Sequence, residues 1–243
     1  MQAEQPDIEI KMTDDGSATL FNKALNETYH STKGAFSESL HVYINNGLEH
    51  KLRESKTIHV LEVGFGTGLN ALLTMMHTPA DCKIYYTSVE PFPISPELAK
   101  QYFKSFNYDV PGLRYLDSLL QAKSGEPVDI TQGFNFCIIN DTLQNISNAV
   151  LDNIRNKNSA AEFSGFDLVY YDAFAPSRQP EMWAPELLQQ TMGMMKPGAL
   201  LTTYCAQGQF KRNLKSMGFN VISPRGFGGK HEMVNAIKPT AIK

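Results

Sequence analysis

The sequence predicts an α/β fold: a mostly parallel, seven-stranded sheet whose last strand runs antiparallel, preceded by an N-terminal appendage. Three observations predict it. From residue 58 onward, short aliphatic and β-branched runs alternate with helical patterns. The first run, Ile58 to Val63, ends in glycines at alternate positions, Gly64, Gly66 and Gly68, and an apolar helical segment, Leu69 to Met76, follows. The chain finishes on two short strands joined by the Gly-rich stretch Arg225 to Gly229, which returns the last strand antiparallel. At 243 residues and 42% apolar composition, the chain can bury one such core.

Residues 1–57 form the appendage and residues 58–243 the main domain, the two belonging to one unit. Asp14-Asp15-Gly16 marks a hairpin turn between Glu9 and Phe21. Leu40, Tyr43, Ile44 and Leu48 recur at three- and four-residue spacing, which predicts a helix over Ser37 to Leu48 with Asn46-Gly47 near its end. Strand one and its helix take residues 58–77. Strand two is Ile84 to Val89, and Ser95-Pro96 opens the next helix. Val128 to Ile130 and Phe134 to Ile139 read as a hairpin about Thr131-Gln132-Gly133. Phe166 to Tyr171 is a buried-type strand ending at Asp172. Pro185 to Met195 is a helix, Lys196-Pro197-Gly198 a turn, and Ala199 to Tyr204 a strand. Gln209 to Met217 is a helix stopped by Gly218, and Phe219 to Ile222 and Glu232 to Ile237 are the closing strands.

Three scattered cysteines, Cys82, Cys137 and Cys205, lack metal-ligand spacing and read as buried thiols of a reducing compartment. No metal site is expected. The polar N-terminus has no signal-peptide pattern, and no apolar run approaches the length of a membrane span. A cytoplasmic protein without membrane contact is expected. Net charge is only −3, but it is uneven. Gln207 to Lys243 holds seven basic residues and one acid, against 15 basic and 24 acidic residues elsewhere. A basic field on an otherwise acidic chain suits docking of a polyanion on one face; a solvated helix face with a basic tail would look the same.

The spacing of the glycine loop, G-x-G-x-G, is not the G-x-G-x-x-G of dinucleotide folds. Missing Cβ atoms let a ligand lie against this backbone. Glu90 follows at the end of the second strand, where a carboxylate can hold two ribose hydroxyls. No basic residue accompanies the loop, so no phosphate is implied. Glycine loop, Glu62 inside it and Glu90 beyond it together suggest a site for S-adenosylmethionine, and hence a Rossmann-like class I methyltransferase fold.

A second motif runs from Tyr170 through Asp172-Ala173-Phe174-Ala175-Pro176 to Pro180-Glu181-Met182-Trp183. In open α/β sheets ligands lie beyond the carboxyl ends of the strands. Asp172 falls there, as do Glu62, Glu90 and Asp141. Phe174, Pro176 and Trp183 can wall a planar group, though a lone Trp also serves core packing. An acid followed by an aromatic and proline turn suits methylation of an amine. A primary alkylamine is about one part in a thousand neutral at pH 7, a handicap of about 4 kcal/mol. Asp172 can anchor the ammonium and accept its proton, with alignment of the reacting atoms carrying the catalysis.

The Gly-loop motif Glu62 to Asn70, Ser88-Val89-Glu90 with Pro91-Phe92-Pro93, the Asp172 motif, and Gly226-Phe227-Gly228-Gly229-Lys230-His231-Glu232-Met233 together resemble the MnmC/MnmD-type tRNA methyltransferases. Glu27-Thr28-Tyr29-His30-Ser31, with Gly34-Ala35 and Glu38-Ser39, is similar to that family's N-terminal part. The match covers about residues 8 to 238. It implies methylation of aminomethyl-uridine at the wobble position of tRNA, with S-adenosylmethionine as cofactor. It implies cofactor contacts at Glu62, Gly64, Gly66, Gly68, Glu90 and Asp141, with Phe65 and Asn70 of the same loop added, and a catalytic acid at Asp172. Tyr29, Ser31, Phe174, Pro176 and Trp183 are the candidate substrate wall. Lys211, Arg212, Lys215, Arg225 and Lys230 are the candidate tRNA contacts. The family's fused members have Gly where this chain has Ala173, and its usual Arg or Lys before Glu-Met is His231 here. With no FAD-binding oxidase half, the resemblance implies a stand-alone methyltransferase supplied by separate enzymes that make the aminomethyl intermediate. Two other readings fit the same motifs: an N-methyltransferase of a small amine, which needs no basic face, and a non-catalytic partner subunit of the same fold. An NAD oxidoreductase is disfavoured by the glycine spacing.

Overall fold

The computed structural model describes residues 7–146, 151 and 163–240. The first two strands, β1 (Ile8–Met12) and β2 (Ala18–Asn22), pair antiparallel across the Asp14-Asp15-Gly16 turn, with Ile8 opposite Asn22 and Met12 opposite Ala18. Asp15 fixes that turn: its Oδ1 accepts from Ser17 N at 2.9 Å, and its Oδ2 accepts from Ser37 N at 3.0 Å. Burial raises its carboxyl, but the Ser17 and Ser37 donors outweigh it and bring the group down to about 2. A short β3 (Glu27–Thr28) completes this small sheet.

The helix expected to end near Asn46-Gly47 continues. Ala35–Ser39 is α-helical, Leu40–Leu48 widens into π-type turns, and Glu49–Leu52 returns to α. Side-chain donors reach carbonyls along the widened stretch: Asn46 Nδ2 to His41 O, Thr202 Oγ1 to Val42 O and Asn235 Nδ2 to Asn46 O. Gly47 lets this helix press on the sheet, since a Cβ there would stand 3.0 Å from Thr202 Cγ2 and 3.2 Å from Tyr170 Cε1.

The main sheet runs β10-β11-β9-β8-β4-β5-β7-β6. Its members are β4 (Thr57–Val63), β5 (Lys83–Val89), β6 (Val128–Thr131), β7 (Phe134–Ile139), β8 (Phe166–Tyr171), β9 (Met195–Thr203), β10 (Asn220–Ile222) and β11 (Val234–Ile237). The class is as expected: β9, β8, β4, β5 and β7 are parallel, and β11 enters antiparallel between β10 and β9. The strand count differs from seven. The eighth is β6, the antiparallel edge of the hairpin with β7. Lys196-Pro197-Gly198 also differs: it lies within β9, where the pairing with β8 shifts register.

Alternation along the strands divides the core into two faces. Val60, Tyr86, Phe136, Leu168 and Tyr170 pack with Val42, Tyr43, Leu48 and Leu72 on one side. Leu61, Val63, Val169, Tyr171 and Leu201 pack with Leu187, Leu188, Phe210 and Leu214 on the other. The appendage residues Ala18, Leu20, Val42, Tyr43 and Ile44 therefore belong to the main core. All three cysteines are buried. Among the described residues no group of His, Cys, Asp and Glu is placed to hold a metal, and no helix is long and apolar enough to cross a membrane.

Candidate active site

Chain order reverses between β4 and β8, and a cavity of about 720 Å³ opens beyond the carboxyl ends of β4, β5 and β8. The loop after β4 forms its floor. Gly64 has φ +93°, and a Cβ there would stand 2.9 Å from the Asp172 carbonyl oxygen. Only glycine lets the two strand ends run this close, with Gly64 N donating to Val89 O and Asp172 N to Val63 O. Gly68 starts the helix Leu69–Met76, over which Phe65 folds down onto Phe136.

Glu90 is held by the loop it faces. Its Oε2 accepts from Gly66 N at 3.1 Å and its Oε1 from Phe92 N at 2.9 Å. Burial raises its carboxyl, and these backbone donors pull it the other way. Each oxygen keeps a lone pair for a further donor. Burial and the nearby Glu90 push the Tyr29 hydroxyl far up, so Tyr29 is a neutral donor at the same wall.

Asp172 lines the cavity opposite. Tyr43 Oη donates to its Oδ1 at 2.5 Å and Asn70 Nδ2 to its Oδ2 at 2.9 Å. Burial raises its carboxyl; the nearby His30 and the Tyr43 and Asn70 donors oppose the rise. His30 lines the cavity too, 8% exposed, with Nδ1 buried and lacking a hydrogen-bond partner. Tyr29 meets Phe174 edge-on with ring centroids 5.0 Å apart, so the appendage supplies one wall and the Asp172 loop the next. Arg178 in that loop pairs with Glu27 at 3.6 Å.

The structure brings Gly64, Phe65, Gly66, Asn70, Glu90, Asp172, Tyr29 and Phe174 together on the cavity wall. It places the other expected residues elsewhere. Glu62 is fully buried beneath the loop. Gly68 faces the Phe65 ring. Asp141 is exposed; its Oδ1 accepts from Thr142 N and Asn145 Nδ2, which caps a short turn and lowers its carboxyl, while Thr142, Leu143 and Gln144 line the cavity. Trp183 is core: it stacks edge-on with Tyr171 and Phe210 and donates Nε1 to the Phe174 carbonyl at 2.8 Å. Ser31 donates its N–H to Glu38 at 2.6 Å and lies outside the cavity. Pro176, Lys211, Lys230, His231, Tyr204 and Cys205 line a second, shallower depression next to it.

Sequence reasoning missed His30, Tyr43, Tyr204 and Arg178 as site residues. Tyr204 donates to the Ala173 carbonyl at 2.9 Å and lies under Lys230 Nζ, 4.8 Å from the ring centroid. Tyr43 carries no local signal, because its role depends on a partner 129 residues away. His30 stands inside a motif that was singled out, which is the signal that could have found it.

Comparison with known proteins agrees with this arrangement. The sequence model of an S-adenosyl-L-methionine-dependent methyltransferase family matches residues 133–239. A tRNA 5-methylaminomethyl-2-thiouridine biosynthesis bifunctional protein, MnmC, of Cupriavidus necator is 31% identical over 221 residues, 89% of this chain and 32% of that protein. The MnmC of Pseudoalteromonas atlantica is 29% identical over 246 residues, 94% of this chain and 33% of that protein. The chain thus spans about a third of the length of the curated relatives it matches. The crystal structure of MnmC2 from Aquifex aeolicus superposes with a TM-score of 0.70 at 25% identity, covering 99% of this chain and 74% of that one. The cavity fits S-adenosylmethionine: a glycine floor open to close approach, a carboxylate with free lone pairs at Glu90, and walls that are mostly apolar. With the parallel sheet, the glycine floor and these relatives in agreement, the chain is an S-adenosylmethionine-dependent methyltransferase of class I fold, similar to the MnmC proteins over about a third of their length.

Proposed function

We propose that this protein methylates the primary amine of aminomethyl-uridine at the wobble position of tRNA. One observation carries the reading: a buried carboxylate, Asp172, held by two donors, shares one cavity with the glycine floor and Glu90. The relatives' role in tRNA 5-methylaminomethyl-2-thiouridine biosynthesis supports tRNA as the substrate.

Glu90 would accept the ribose hydroxyls of the cofactor, with Gly64 and Gly66 passing beneath it and Phe65, Asn70, Thr142 and Leu143 closing the walls. S-adenosylmethionine supplies the electrophilic methyl group when bound. The chain's own residues prepare the amine. It arrives as an ammonium and donates to Asp172, whose remaining lone pairs face the cavity. Tyr43 and Asn70 fix the direction of that carboxylate, so the nitrogen is held in one place. Burial raises Asp172 toward the amine and narrows the gap across which the proton must move. Asp172 takes the proton and leaves a lone pair on nitrogen. His30 faces the same space. Phe174 and Tyr29 wall the uracil ring.

The tRNA body would rest on Lys211, Arg212, Lys215, Arg225 and Lys230. Buried Phe210 and Leu214 turn Lys211, Arg212 and Lys215 outward from the helix Gly208–Ser216. Lys211 is paired with Glu232 and Lys230 with Glu38, so tRNA phosphates would compete for both. Lys238 is engaged with the Met192 and Met195 carbonyls and takes no part. Separate enzymes in the cytoplasm would supply the aminomethyl group. Labelled S-adenosylmethionine, incubated with tRNA that carries aminomethyl-uridine and in parallel with free polyamines, tests the proposal. Label should enter the tRNA. Label in the polyamines alone would establish a small-amine methyltransferase instead.

A further inference from the structure

Among the described residues the cavity wall carries three carboxylates, Glu90, Asp172 and Glu181, but only one Lys or Arg, Arg178. The function proposed above uses Glu90 and Asp172 and leaves Arg178 without a role. Its side chain is 40% exposed, which sets it at the mouth of the cavity. Its neighbour is Glu27 of β3, 31% exposed, with Oε2 at 3.6 Å from Arg178 Nε. That separation makes an ion pair without a hydrogen bond. Glu27 Oε1 already accepts from Thr28 N at 3.3 Å. No described residue accepts from the Arg178 Nη groups, which carry four of the five guanidinium donors. An exposed pair held this loosely gives way to a better anion.

Hydrogen bonds fix the backbone under Arg178. Arg178 N and Gln179 N both donate to Ala175 O, at 2.8 and 3.0 Å, and Phe174 N donates to Gln179 Oε1 at 3.3 Å. Trp183 Nε1 holds the Phe174 carbonyl from the other side. One ordered turn, residues 172–179, therefore presents Asp172, the Phe174 ring and the Arg178 guanidinium to the same cavity. The appendage faces it contact for contact: Tyr29 meets Phe174 edge-on, and Glu27 pairs with Arg178. A ligand that satisfies this turn has a cationic amine for Asp172, a planar ring for Phe174 and an oxyanion for Arg178. A polyamine lacks the ring and the oxyanion, and a free nucleoside lacks the oxyanion. A nucleotide bearing an aminomethyl group has all three.

We propose that Arg178 is a substrate-binding residue that takes the backbone phosphate of the nucleotide whose base enters the cavity, and that it makes the site selective for a phosphorylated nucleotide over a nucleoside or a free amine. This deepens the function proposed above and rests on it for the identity of the amine. A guanidinium offers parallel N–H donors to two phosphate oxygens, a match of shape as well as of charge. Glu27 holds the guanidinium at the mouth, and the arriving phosphate displaces it. The turn also divides the two depressions. Phe174 and Arg178 face the cavity, while Ala175 and Pro176 face the shallower one that holds Lys211 and Lys230. A chain leaving a nucleotide seated at Arg178 can cross this turn onto those lysines.

Arg178→Met removes the donors at similar length, and Arg178→Lys keeps the charge without the fork. The probes are aminomethyl-uridine as the free nucleoside and as its 3′,5′-bisphosphate. Wild-type kcat/KM should favour the bisphosphate by about tenfold or more. Arg178→Met should lose that preference while nucleoside turnover and S-adenosylmethionine affinity stay within about twofold, and Arg178→Lys should keep part of it. Glu27→Gln distinguishes a phosphate site from a merely structural ion pair: it should keep the preference or raise it. An unchanged preference in Arg178→Met, or its loss in Glu27→Gln as well, would overturn the proposal. So would a loss of S-adenosylmethionine affinity of about tenfold in Arg178→Met with the preference intact, which would assign Arg178 to the cofactor's carboxylate. Uridine 3′,5′-bisphosphate has no amine, so its binding is independent of the methylation proposed above. Followed by NMR titration, it should be about tenfold weaker in Arg178→Met, with uridine itself unaffected. Equal binding would overturn the proposal, even in a protein that methylates no aminomethyl-uridine.

Discussion

In the proposed reaction, Asp172 takes its role from its surroundings. Alone, a carboxylate stabilises an ammonium; buried and fixed by Tyr43 and Asn70, it can also receive the ammonium's proton. Asp172→Ala should keep the fold and cofactor binding and lower methyl transfer by about 100-fold or more, measured under saturating substrate. A variant turning over near the wild-type rate would remove Asp172 from the chemistry. Glu90→Ala should weaken S-adenosylmethionine binding by about 1–3 kcal/mol in calorimetry, the cost of lost hydrogen bonds to a charged group. Unchanged affinity would reassign the cofactor's hydroxyls to other residues. His59 lies at the opposite end of β4, buried and stacked on Tyr85. Burial, then Lys196, depress it to about 4 from 6.5. Its folded value lies below its unfolded one, so the unfolded chain binds the proton first. The stability it contributes is complete above the unfolded value and is lost as pH falls toward 4, by up to about 3 kcal/mol. Urea unfolding of His59→Phe should show a shallower loss across that window; an unchanged slope would place the acid sensitivity elsewhere. Asp172 and Glu90 were legible in the sequence because each directly follows a readable strand. Tyr43 was not, since no local pattern announces a partner across the molecule. Asp141 lies off the cavity wall, because an acid near a strand end caps a turn as readily as it lines a site.

At the scale of elements, the periodicity of hydrophobic residues placed most strands and helices within a residue or two, while β9 starts four residues before the expected Ala199. Phe166–Tyr171 and Phe134–Ile139 match the sequence reading to the residue. What it could not give was helix 35–52 continuing through Asn46-Gly47, because the reason lies in tertiary packing: Gly47 is there to admit Thr202 and Tyr170, not to end a helix. Gly47→Ala should lower stability by about 1–3 kcal/mol through overpacking, and should cost activity as well, since the same helix carries Tyr43. Thermal melts and turnover of the one variant measure both; full stability would mean the helix can move off the sheet freely. The outward face of the helix Gly208–Ser216 makes a separate claim. Replacing Lys211, Arg212 and Lys215 by Ala should weaken tRNA binding and lower the slope of log affinity against log salt by about one to two, with Lys211 discounted for its Glu232 partner. Cofactor affinity should not change. The same tRNA affinity and slope as wild type would move the docking face off this helix.

For the whole molecule, the alternation of strands and helices specified a parallel sheet, and the short closing pair specified its antiparallel end. The glycine loop, with Glu90 and Asp172 beyond the strands, pointed to the end of the sheet where the cavity opens. The appendage was the least legible part. Its hairpin could be read, but not that Ala18, Leu20, Val42 and Tyr43 share the main core, nor that Tyr29 and His30 complete the cavity. Those placements follow from how two sheets and a long helix close on each other, which no local sequence pattern encodes. The charge asymmetry was visible from composition; which cations are already engaged, as Lys238 is with two carbonyls, was not. The central claim is that the cavity between appendage and sheet delivers one methyl group to an amine carried on tRNA. Its most direct test is nucleoside mass spectrometry of tRNA bearing aminomethyl-uridine, before and after incubation with the protein and S-adenosylmethionine. Aminomethyl-uridine should disappear in step with the appearance of its monomethylated form, and no other nucleoside should change. Aminomethyl-uridine left intact while S-adenosylmethionine is consumed, or a methyl group found on a different nucleoside, would contradict it.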